Sequence, residues 1–208
     1  MKLNKQQEEI FYGIILGDLH VTRYYRKIDK GISYRLYFEQ GNNHKDYLQH
    51  LYKVYGKLVK TPPKQKTNGN WYFHTLTLRD AAICEKFYRN NVKRIPSDLF
   101  DHLTPLGLAY WFMDDGSIKS KESKGVYLNT QSFTHKEVLF LCNGLKRKFN
   151  LNVWPSPCYE KGNLHYTKKN ILYYQTYISG HSYEILRDLI YNYIVPSMQY
   201  KFPCKRKI

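Results

Sequence analysis

The sequence lacks several features that would place it in a membrane or in a secretory compartment. It has no run of 18 or more apolar residues, so it predicts no membrane-spanning helix. Its N-terminus is too polar for a signal peptide and too acidic for a typical transit peptide. The four cysteines, Cys84, Cys142, Cys158 and Cys204, form no C-x-x-C pair. They favour neither a disulfide framework nor a zinc site, and they indicate ordinary thiols in a reducing compartment.

Acidic residues are also scarce. There are 17 Asp plus Glu against 33 Lys plus Arg, which gives a formal charge of +16 in 208 residues. Cations neutralise phosphates and flat rings contact bases and sugars, so this charge, with 16% aromatic residues, points first to nucleic acid. The alternatives are a membrane-surface protein and a basic protein that is merely soluble. The length allows one domain or two small halves.

The segment TPLGLAYWFMDDG, at residues 104–116, predicts a helix that is buried on all sides. Thr104 suits its N-cap, Pro105 its first position and Gly116 a left-handed C-terminal cap. Asp114 and Asp115 then lie at the helix C-terminus, where the macrodipole is already negative. A bound cation is the simplest compensation for acids in this position.

A second apolar helix with an acid at its end is predicted over residues 4–18. Asn4 and Gln7 have the spacing of a capping box. Gly13 and Gly17 lie four apart on one face, where they allow another helix backbone to approach closely. Asp18 ends this helix as Asp115 ends the other, although a core helix ending in an exposed Asp is the plain alternative.

The predicted elements occur twice in the same order. The first set is a helix over 4–18, a hairpin over 20–40 that turns at 29–31, a helix over 44–55, a hairpin over 59–78 and a helix over 79–89. After a polar connector at 90–102, the second set is a helix over 104–115, a hairpin over 117–132, a helix over 134–149, a hairpin over 151–178 and a helix over 183–194. We therefore predict an α+β fold of two pseudo-symmetric αββαββα halves, with domains at 1–92 and 105–208 and a linker at 93–104.

Parallel pairing of the two opening helices would bring Asp18 and Asp115 together with carbonyls from both helix ends. This is a hard, oxygen-rich site that suits Mg²⁺. In a basic protein the matching substrate is a phosphodiester, which such metals hydrolyse by activating water and stabilising the leaving oxygen. Lys93 and Lys201 occupy related places in the two halves, where they could offset charge in the transition state.

The four hairpins are expected to form a twisted antiparallel saddle for DNA, because a β-ribbon fits a major groove. Its exposed face would carry the following nine cations: Arg23, Arg26, Arg35, Lys64, Lys66, Lys119, Lys121, Lys161 and Lys168. Any one of them taken alone is more simply a solvated surface charge.

Four segments carry a resemblance to a known family. GIILGD at 13–18 and LAYWFMDDG at 108–116 resemble the two signature motifs of a LAGLIDADG homing endonuclease of the single-chain, two-repeat kind encoded in organellar introns. YLNTQSFT at 127–134 and PSMQYKFP at 196–203 also resemble segments of that family, closest to the yeast mitochondrial omega-intron endonuclease. The resemblance covers essentially the whole chain, and the second motif is the more specific.

The resemblance implies a monomer that cuts a long, asymmetric DNA site across the minor groove and leaves cohesive 3′ ends. Asp18 and Asp115 match the metal-binding acids, and the Gly17 and Asp114 carbonyls match additional ligands. Mg²⁺ is the implied metal, with Mn²⁺ as a substitute and Ca²⁺ binding without cleavage. The implied location is an organelle, mitochondrion or chloroplast, in which the protein is translated.

Further residues follow from the same resemblance. Lys93 and Lys201 match the basic residues beside the active site, Glu39 matches a position that organises water around the metals, and either Asn129 or Gln131 is its second-half counterpart. The first motif has Leu19 where the pattern has glycine. The second has Tyr110 and Asp114 where small interface residues are usual, so we expect asymmetric helix packing and unequal cutting of the two strands.

Two other functions remain open at this level. Proteins of this fold also act as maturases, which bind their own intron RNA and assist splicing. A basic ribosomal or structural RNA-binding protein is the third possibility, and in it Asp18 and Asp115 would be incidental. The presence of both acids favours cleavage but does not exclude RNA binding.

Overall fold

The computed structural model describes residues 2–27, 30–78, 82–89, 92–159 and 171–203. The helices are α1 (Lys5–Ile14), α2 (Lys45–Tyr55), α3 (Ala82–Lys86), α4 (Leu99–His102), α5 (Pro105–Asp115), α6 (His135–Phe149) and α7 (Tyr183–Ile190). The strands are β1 (His20–Tyr25), β2 (Ile32–Gln40), β3 (Lys64–Gln65), β4 (Trp71–His74), β5 (Tyr88–Arg89), β6 (Val92–Lys93), β7 (Gly116–Ile118), β8 (Val126–Leu128), β9 (Val153–Tyr159) and β10 (Ile171–Ile178). Within these ranges no helix combines the length and the apolar character that crossing a bilayer requires.

The chain forms two compact units. The first comprises residues 1–107 and 195–198, and the second comprises residues 108–194 and 199–208. Leaving aside the short β5, β6 and α4, each half of the chain has the predicted order of helix, two strands, helix, two strands and helix. Each contains a four-stranded antiparallel sheet, in the orders β1-β2-β4-β3 and β7-β8-β10-β9. The predicted α+β fold with repeated αββαββα halves is confirmed.

Helix α1 begins as predicted and ends earlier. Asn4 and Gln7 form the capping box, with a 2.9 Å bond from the Gln7 amide to the Asn4 side chain and a 3.0 Å bond in return. The α-helix was predicted to reach Asp18 but ends at Ile14. Beyond it the hydrogen bonds tighten to the i→i−3 pattern, from Leu16 to Gly13 and from Gly17 to Ile14. Asp18 therefore follows a short tight turn and not a regular helix end.

Glycines in the first unit allow the start of α5 to approach α1 closely. A β-carbon on Gly13 would overlap the carbonyl oxygen of Gly107, and one on Gly107 would lie 2.7 Å from the Glu9 carbonyl oxygen. Thr104 caps α5 as predicted by accepting a 3.3 Å bond from the Gly107 amide, and its hydroxyl also donates to Glu9 at 2.9 Å. The close approach predicted at Gly13 is observed, with Gly107 as its partner.

The first sheet separates a core face from an outer face, as alternation requires. On β2, Leu36 and Phe38 are buried, while Arg35, Tyr37 and Glu39 point to the opposite side, which we call the outer face. The predicted second hairpin has shorter strands than expected, and Gly69 sits at its tip with φ +86°. Residue 29, the first of the predicted turn at 29–31, lies outside the described residues.

The segment around residues 79–102 differs from the prediction. Of the helix predicted over 79–89, the structure describes α3 at Ala82–Lys86, and residues 79–81 lie outside the described residues. Tyr88–Arg89 instead form β5, which pairs with Val92–Lys93. Residues 93–104 lie in the first unit, and the stretch predicted as an irregular connector includes β6 and α4. Two-residue strands have no periodicity, so the sequence could not reveal them.

The second unit follows its prediction closely through α6. Thr134 and Glu137 form a capping box, Asn150 adopts the left-handed C-cap with φ +55°, and the apolar side chains Val138, Leu141, Leu145 and Phe149 are buried. Gly116 differs, because it starts β7 and is not a left-handed cap. A β-carbon there would overlap Phe112, so close packing and not positive φ requires the glycine. The last helix was predicted to reach residue 194 but ends at Ile190, followed by 3₁₀ turns at Tyr191–Tyr193 and Pro196–Lys201.

Candidate active site

In the first unit, the acid Asp18 is exposed and is held by a side chain from the sheet. The Gln40 amide nitrogen donates to Asp18 Oδ2 at 2.8 Å. Gln40 is the last residue of β2 and only 8% exposed, so its amide is fixed by its surroundings. Its Oε1 in turn lies 3.3 Å from His44 Nδ1. The carboxylate of Asp18 is therefore positioned from outside its own segment.

Lys93 lies beside the same turn. Its Nζ donates to the carbonyl oxygens of Gly17 at 3.1 Å and Leu19 at 3.5 Å. Carbonyls at the end of a helix carry partial negative charge, which a cation stabilises. The short strand β6, which the sequence did not predict, sets Lys93 in this place. The structure thus places three predicted site residues, Gly17, Asp18 and Lys93, in one cluster.

Glu39 points to the outer face, away from the side on which Gln40 contacts Asp18. Its carboxylate accepts hydrogen bonds from Lys66 at 2.7 Å, Asn70 at 2.9 Å and Tyr37 at 3.1 Å. The bond from Lys66 is the main reason that the pKa of Glu39 lies below its usual value, with the Asn70 bond second. Lys66 also lies 5.5 Å from the ring centres of Tyr37 and Tyr72. Glu39 is therefore a fixed anion in a polar network on the sheet.

In the second unit, the acid Asp115 is held from its own helix. The indole nitrogen of Trp111, one turn earlier, donates to Asp115 Oδ2 at 3.3 Å. Trp111 is fully buried, so its N–H is pre-oriented by packing. The backbone oxygen of Asp115 accepts a 3.0 Å bond from the amide of Asn129. Asp115 is only half-buried, so its carboxylate remains accessible at the end of a buried helix.

Lys201 is the buried counterpart of Lys93. It is 9% exposed, and its Nζ donates to the carbonyl oxygens of Met113 and, at 2.8 Å, Asp114. The ring of Phe202, the next residue, lies 4.8 Å from the ring of Phe112 and anchors this segment on α5. Helix-end carbonyls thus face a lysine ammonium in both units. Burial raises the pKa of the Tyr110 hydroxyl on the same helix, and Asp114 adds to the effect.

The sheet registers identify the second-unit counterpart of Glu39. Tyr37 pairs with His20 in the first sheet, as Tyr127 pairs with Ser117 in the second. Two residues further along the chain the positions are Glu39 and Asn129. Asn129, directly after β8, accepts a 2.6 Å bond from Gln175, whereas Gln131 lies two residues further on and is exposed. By position the counterpart of Glu39 is Asn129, a choice that the sequence left open.

The predicted DNA-binding cations do not all share one face. Arg35 and Lys64 follow the outer-face alternation, and Arg35 stacks 5.2 Å from the Tyr24 ring centre. Arg23 pairs with Tyr34, which points to the core face of the sheet. Arg23 therefore lies on that side of the sheet, although it is exposed. Arg26 donates to the Ile32 carbonyl at 2.9 Å at the end of the hairpin. The register therefore separates Arg23 from Arg35.

The second sheet presents fewer described cations. Lys119 is exposed and lies 5.1 Å from the Tyr177 ring centre, and Lys121 is exposed in the turn between β7 and β8. Lys161 and Lys168 fall within residues 160–170, which lie outside the described residues. The described outer face is instead rich in rings, with Tyr177 in contact with both Tyr127 and Trp154.

The donors present in each unit suit a hard divalent cation. Among the described residues there is no cluster of three or more His, Cys, Asp and Glu side chains that could hold a metal. Each unit offers instead one accessible carboxylate and neighbouring backbone carbonyls, which are the oxygen ligands that Mg²⁺ and Ca²⁺ prefer. A carbonyl oxygen has two lone pairs, so those of Gly17 and Asp114 could bind a metal beside their lysines. The chemistry of the donors therefore fits the metal expected from the sequence.

The fold and these sites define a class of protein: a two-unit α+β chain with one acid and one carbonyl-bound lysine at the end of the first helix in each half. The sequence profile of the LAGLIDADG DNA endonuclease family matches residues 8–186, and the chain belongs to that family, the family of the LAGLIDADG homing endonucleases. Its members generally depend on divalent metal ions.

Particular relatives sharpen this assignment. The chain is 34% identical to a probable intron-encoded endonuclease 1 of Wickerhamomyces canadensis, over 96% of this chain and 84% of that protein. It is 33% identical to the cytochrome b mRNA maturase bI2 of Saccharomyces cerevisiae, over 96% of this chain and 48% of the relative. It is 27% identical to the DNA endonuclease I-ChuI of Chlamydomonas applanata, over 97% and 96% of the two chains.

Solved structures agree with the fold. The homing endonuclease I-WcaI bound to its DNA recognition sequence superposes with a TM-score of 0.79 at 33% identity, covering 97% of this chain and 87% of the other. The meganuclease I-SmaMI bound to uncleavable DNA gives a TM-score of 0.52 at 11% identity, covering 92% and 86%, and shares the fold alone.

Sequence reasoning missed three residues in or beside the site. The sequence prediction named the charged Glu39 and not its neutral neighbour Gln40. Side chains alternate along a strand, so the two residues point to opposite faces and only one of them can face Asp18. Trp111 was treated only as core, but its spacing of four from Asp115 on a helix was a usable signal. Gly107 was not recognised as the partner of Gly13.

Proposed function

We propose that this protein is a site-specific homing endonuclease that makes Mg²⁺-dependent double-strand breaks in a long, asymmetric DNA site. The observation that carries this proposal is the duplication of one arrangement: an accessible acid, Asp18 or Asp115, that follows carbonyls bound by a lysine. Two similar centres in one chain match the two strands of a duplex whose sequence need not be symmetric.

The residues divide into roles by their chemistry. Asp18 and Asp115, with the carbonyls of Gly17 and Asp114, would hold the metal ions, which supply Lewis-acid activation of water and of the scissile phosphate. Lys93 and Lys201 stand on adjacent carbonyls, where their ammonium groups can neutralise charge that develops on the phosphate. Glu39, fixed by Lys66 and Asn70, is suited to order water on the outer face of the first sheet.

DNA as the partner is supported by charge and by similarity. Arg35, Lys64 and Lys119 are cations on or beside the two sheets, and the net charge of the chain is +16. I-WcaI, similar over nearly the whole chain, is bound to its DNA recognition sequence. Relatives named as intron-encoded support homing of an intron, and with the cytochrome b maturases they support an organellar location. A monomer, and a closer kinship with the omega-intron endonuclease, stay predictions.

Cleavage of a randomised duplex library tests this function. The purified chain with Mg²⁺ should enrich one long, asymmetric sequence with a break in each strand, Mn²⁺ should substitute, and Ca²⁺ should support binding without breaks. Double-strand cleavage in the presence of a chelator would contradict the metal assignment. Absence of any enriched duplex sequence would contradict the proposed function.

Maturase activity is the second candidate, and a specific observation favours it. Two relatives at 33% and 34% identity, from Saccharomyces cerevisiae and Debaryomyces hansenii, are cytochrome b mRNA maturases. The same basic surface could bind intron RNA with or without DNA cleavage. A competition assay between the enriched duplex and the RNA of the surrounding intron separates the two: tight, specific RNA binding that accelerates splicing would add maturase activity, and weak salt-sensitive RNA binding would leave endonuclease activity alone.

A further inference from the structure

The side chain of Gln40 connects the acid of the first unit to a strand of the sheet. Its Nε2 donates to Asp18 Oδ2 at 2.8 Å, and Gln40 is 8% exposed. A carboxylate only accepts hydrogen bonds, so the amide nitrogen must be the atom that faces Asp18. A hydrogen bond to a charged group is stronger than a neutral one and holds the acceptor in one orientation.

The carboxylate of Asp18 fixes which way this amide points, and His44 supports that orientation. With Nε2 on Asp18, the amide Oε1 faces His44 Nδ1 at 3.3 Å, and because a carbonyl oxygen only accepts, that ring nitrogen is the donor. His44 belongs to the 3₁₀ turn Asn42–His44, directly before α2. Reversing the amide would set its oxygen against the carboxylate of Asp18, so this contact enforces a single orientation.

The supporting backbone is rigid. Gln40 ends β2, whose residues 32–37 pair with β1, and β1 begins two residues after Asp18. The backbone of Gln40 pairs with that of Trp71 in β4. A side chain on a central strand of a sheet holds its partner more accurately than one on a loop, and Asp18 itself lies in a turn.

From these contacts we infer that Gln40 is a positioning residue for Asp18, with His44 supporting its amide, and that the corresponding residue of the second unit does not play this part. The inference rests on the proposed role of Asp18 as a metal ligand. By register, the second-unit counterpart of Gln40 is Thr130, whose hydroxyl bonds to the Tyr174 carbonyl and to Thr176, each at 3.3 Å. Asp115 receives its hydrogen bond from Trp111. Loss of Gln40 should therefore affect one of two metal centres.

The test replaces Gln40 by the similarly shaped Met, with Gln49→Met on α2 as the matched control. Mn²⁺ binding to the protein alone is followed through the resonance signal of free Mn²⁺, and cleavage of the enriched duplex is followed separately on each strand. Removing a group that orients a metal ligand typically costs about 10- to 100-fold in metal affinity. We expect Gln40→Met to weaken one class of Mn²⁺ site by that factor and to slow one strand more than the other, while Gln49→Met behaves as the unchanged protein.

Each outcome decides the inference. Mn²⁺ affinity and a strand ratio equal to those of Gln49→Met would overturn it, and so would equal slowing of both strands. If thermal unfolding shows that Gln40→Met does not fold, His44→Ala replaces it in the test. We expect His44→Ala to slow cleavage of the same strand by a smaller factor, and an unchanged cleavage rate would overturn the role of His44. If the unchanged protein cuts no DNA, the proposed function fails, and the Mn²⁺ affinity of the variant still decides the role of Gln40.

Discussion

Each unit positions an acid beside a carbonyl-bound lysine, but the side chain that donates to the acid differs between the two units. Asp18 accepts a hydrogen bond from Gln40, a residue on a neighbouring strand, and Asp115 accepts one from Trp111, a buried residue of its own helix. Lys93 is half-buried on the carbonyls of its unit, whereas Lys201 is 9% exposed. Both units carry the acid, the lysine and the carbonyls, but the side chains that donate to the two acids differ. We infer that the two centres have the same donor groups and differ in the side chains that position the acid and in the burial of the lysine.

The largest effect is expected from the acids, at which the two units should be equal. Asp18→Asn and Asp115→Asn each remove a charged metal ligand, so each should lower double-strand cleavage by about 1000-fold or more, while binding to the duplex in Ca²⁺ persists. Gel assays of cleavage and binding measure both. Asp188→Asn, on the exposed side of α7, is the control and should cut normally. Cleavage at the normal rate by Asp115→Asn would sink the metal-site assignment.

The lysines should separate the units. Lys201→Met leaves the buried carbonyls of Met113 and Asp114 without this donor, so it should lower the free energy of unfolding by about 1–3 kcal/mol, whereas Lys93→Met, whose site is more hydrated, should cost less than about 1 kcal/mol. Urea unfolding followed by circular dichroism provides both values. Equal losses of unfolding free energy in the two variants would contradict the difference in burial between Lys93 and Lys201. Both variants should slow cleavage if the proposed role of these lysines, neutralising charge on the phosphate, is right, because both remove the ammonium group.

The smallest effect is expected at Glu39, the charged member of the Glu39 and Asn129 pair. Lys66 lowers the pKa of Glu39, so Lys66→Met should raise it. Because the folded-state pKa lies below the unfolded value, the stabilisation is present above the unfolded pKa and is lost as the pH falls through the folded one. Both groups are partly exposed, so screening keeps the gain small. Carboxyl titration by NMR measures the shift, and no change in the pKa of Glu39 would show that Lys66 does not hold it.

Local signals predicted much of this fold. Asn4, Thr104 and Thr134 cap helices because their side chains accept amide hydrogens, and this chemistry is readable from sequence. The order of helices and hairpins and the repeat followed from apolar periodicity. The two-residue strands β5 and β6 and the early end of α1 did not, because tertiary contacts set them. Lys93 could be named from its place in the repeat, but the strand that carries it could not.

The site was predictable where it is charged and obscure where it is neutral. Asp18, Asp115 and the two lysines stand out against an apolar or repeated background. Gln40 and Trp111 look like ordinary strand and core residues until the register and the helix place their donors on the acids. The choice between Asn129 and Gln131 likewise needed strand pairing, because a shift of two residues preserves the alternation.

The proposal that Asp18 and Asp115 each hold a metal ion is tested most directly by anomalous diffraction from crystals of the protein with its enriched duplex and Mn²⁺. We expect Mn²⁺ peaks at bonding distance, about 2.0–2.3 Å, from the carboxylates of Asp18 and Asp115. Mn²⁺ bound elsewhere on the protein, with neither carboxylate as a ligand, would contradict it.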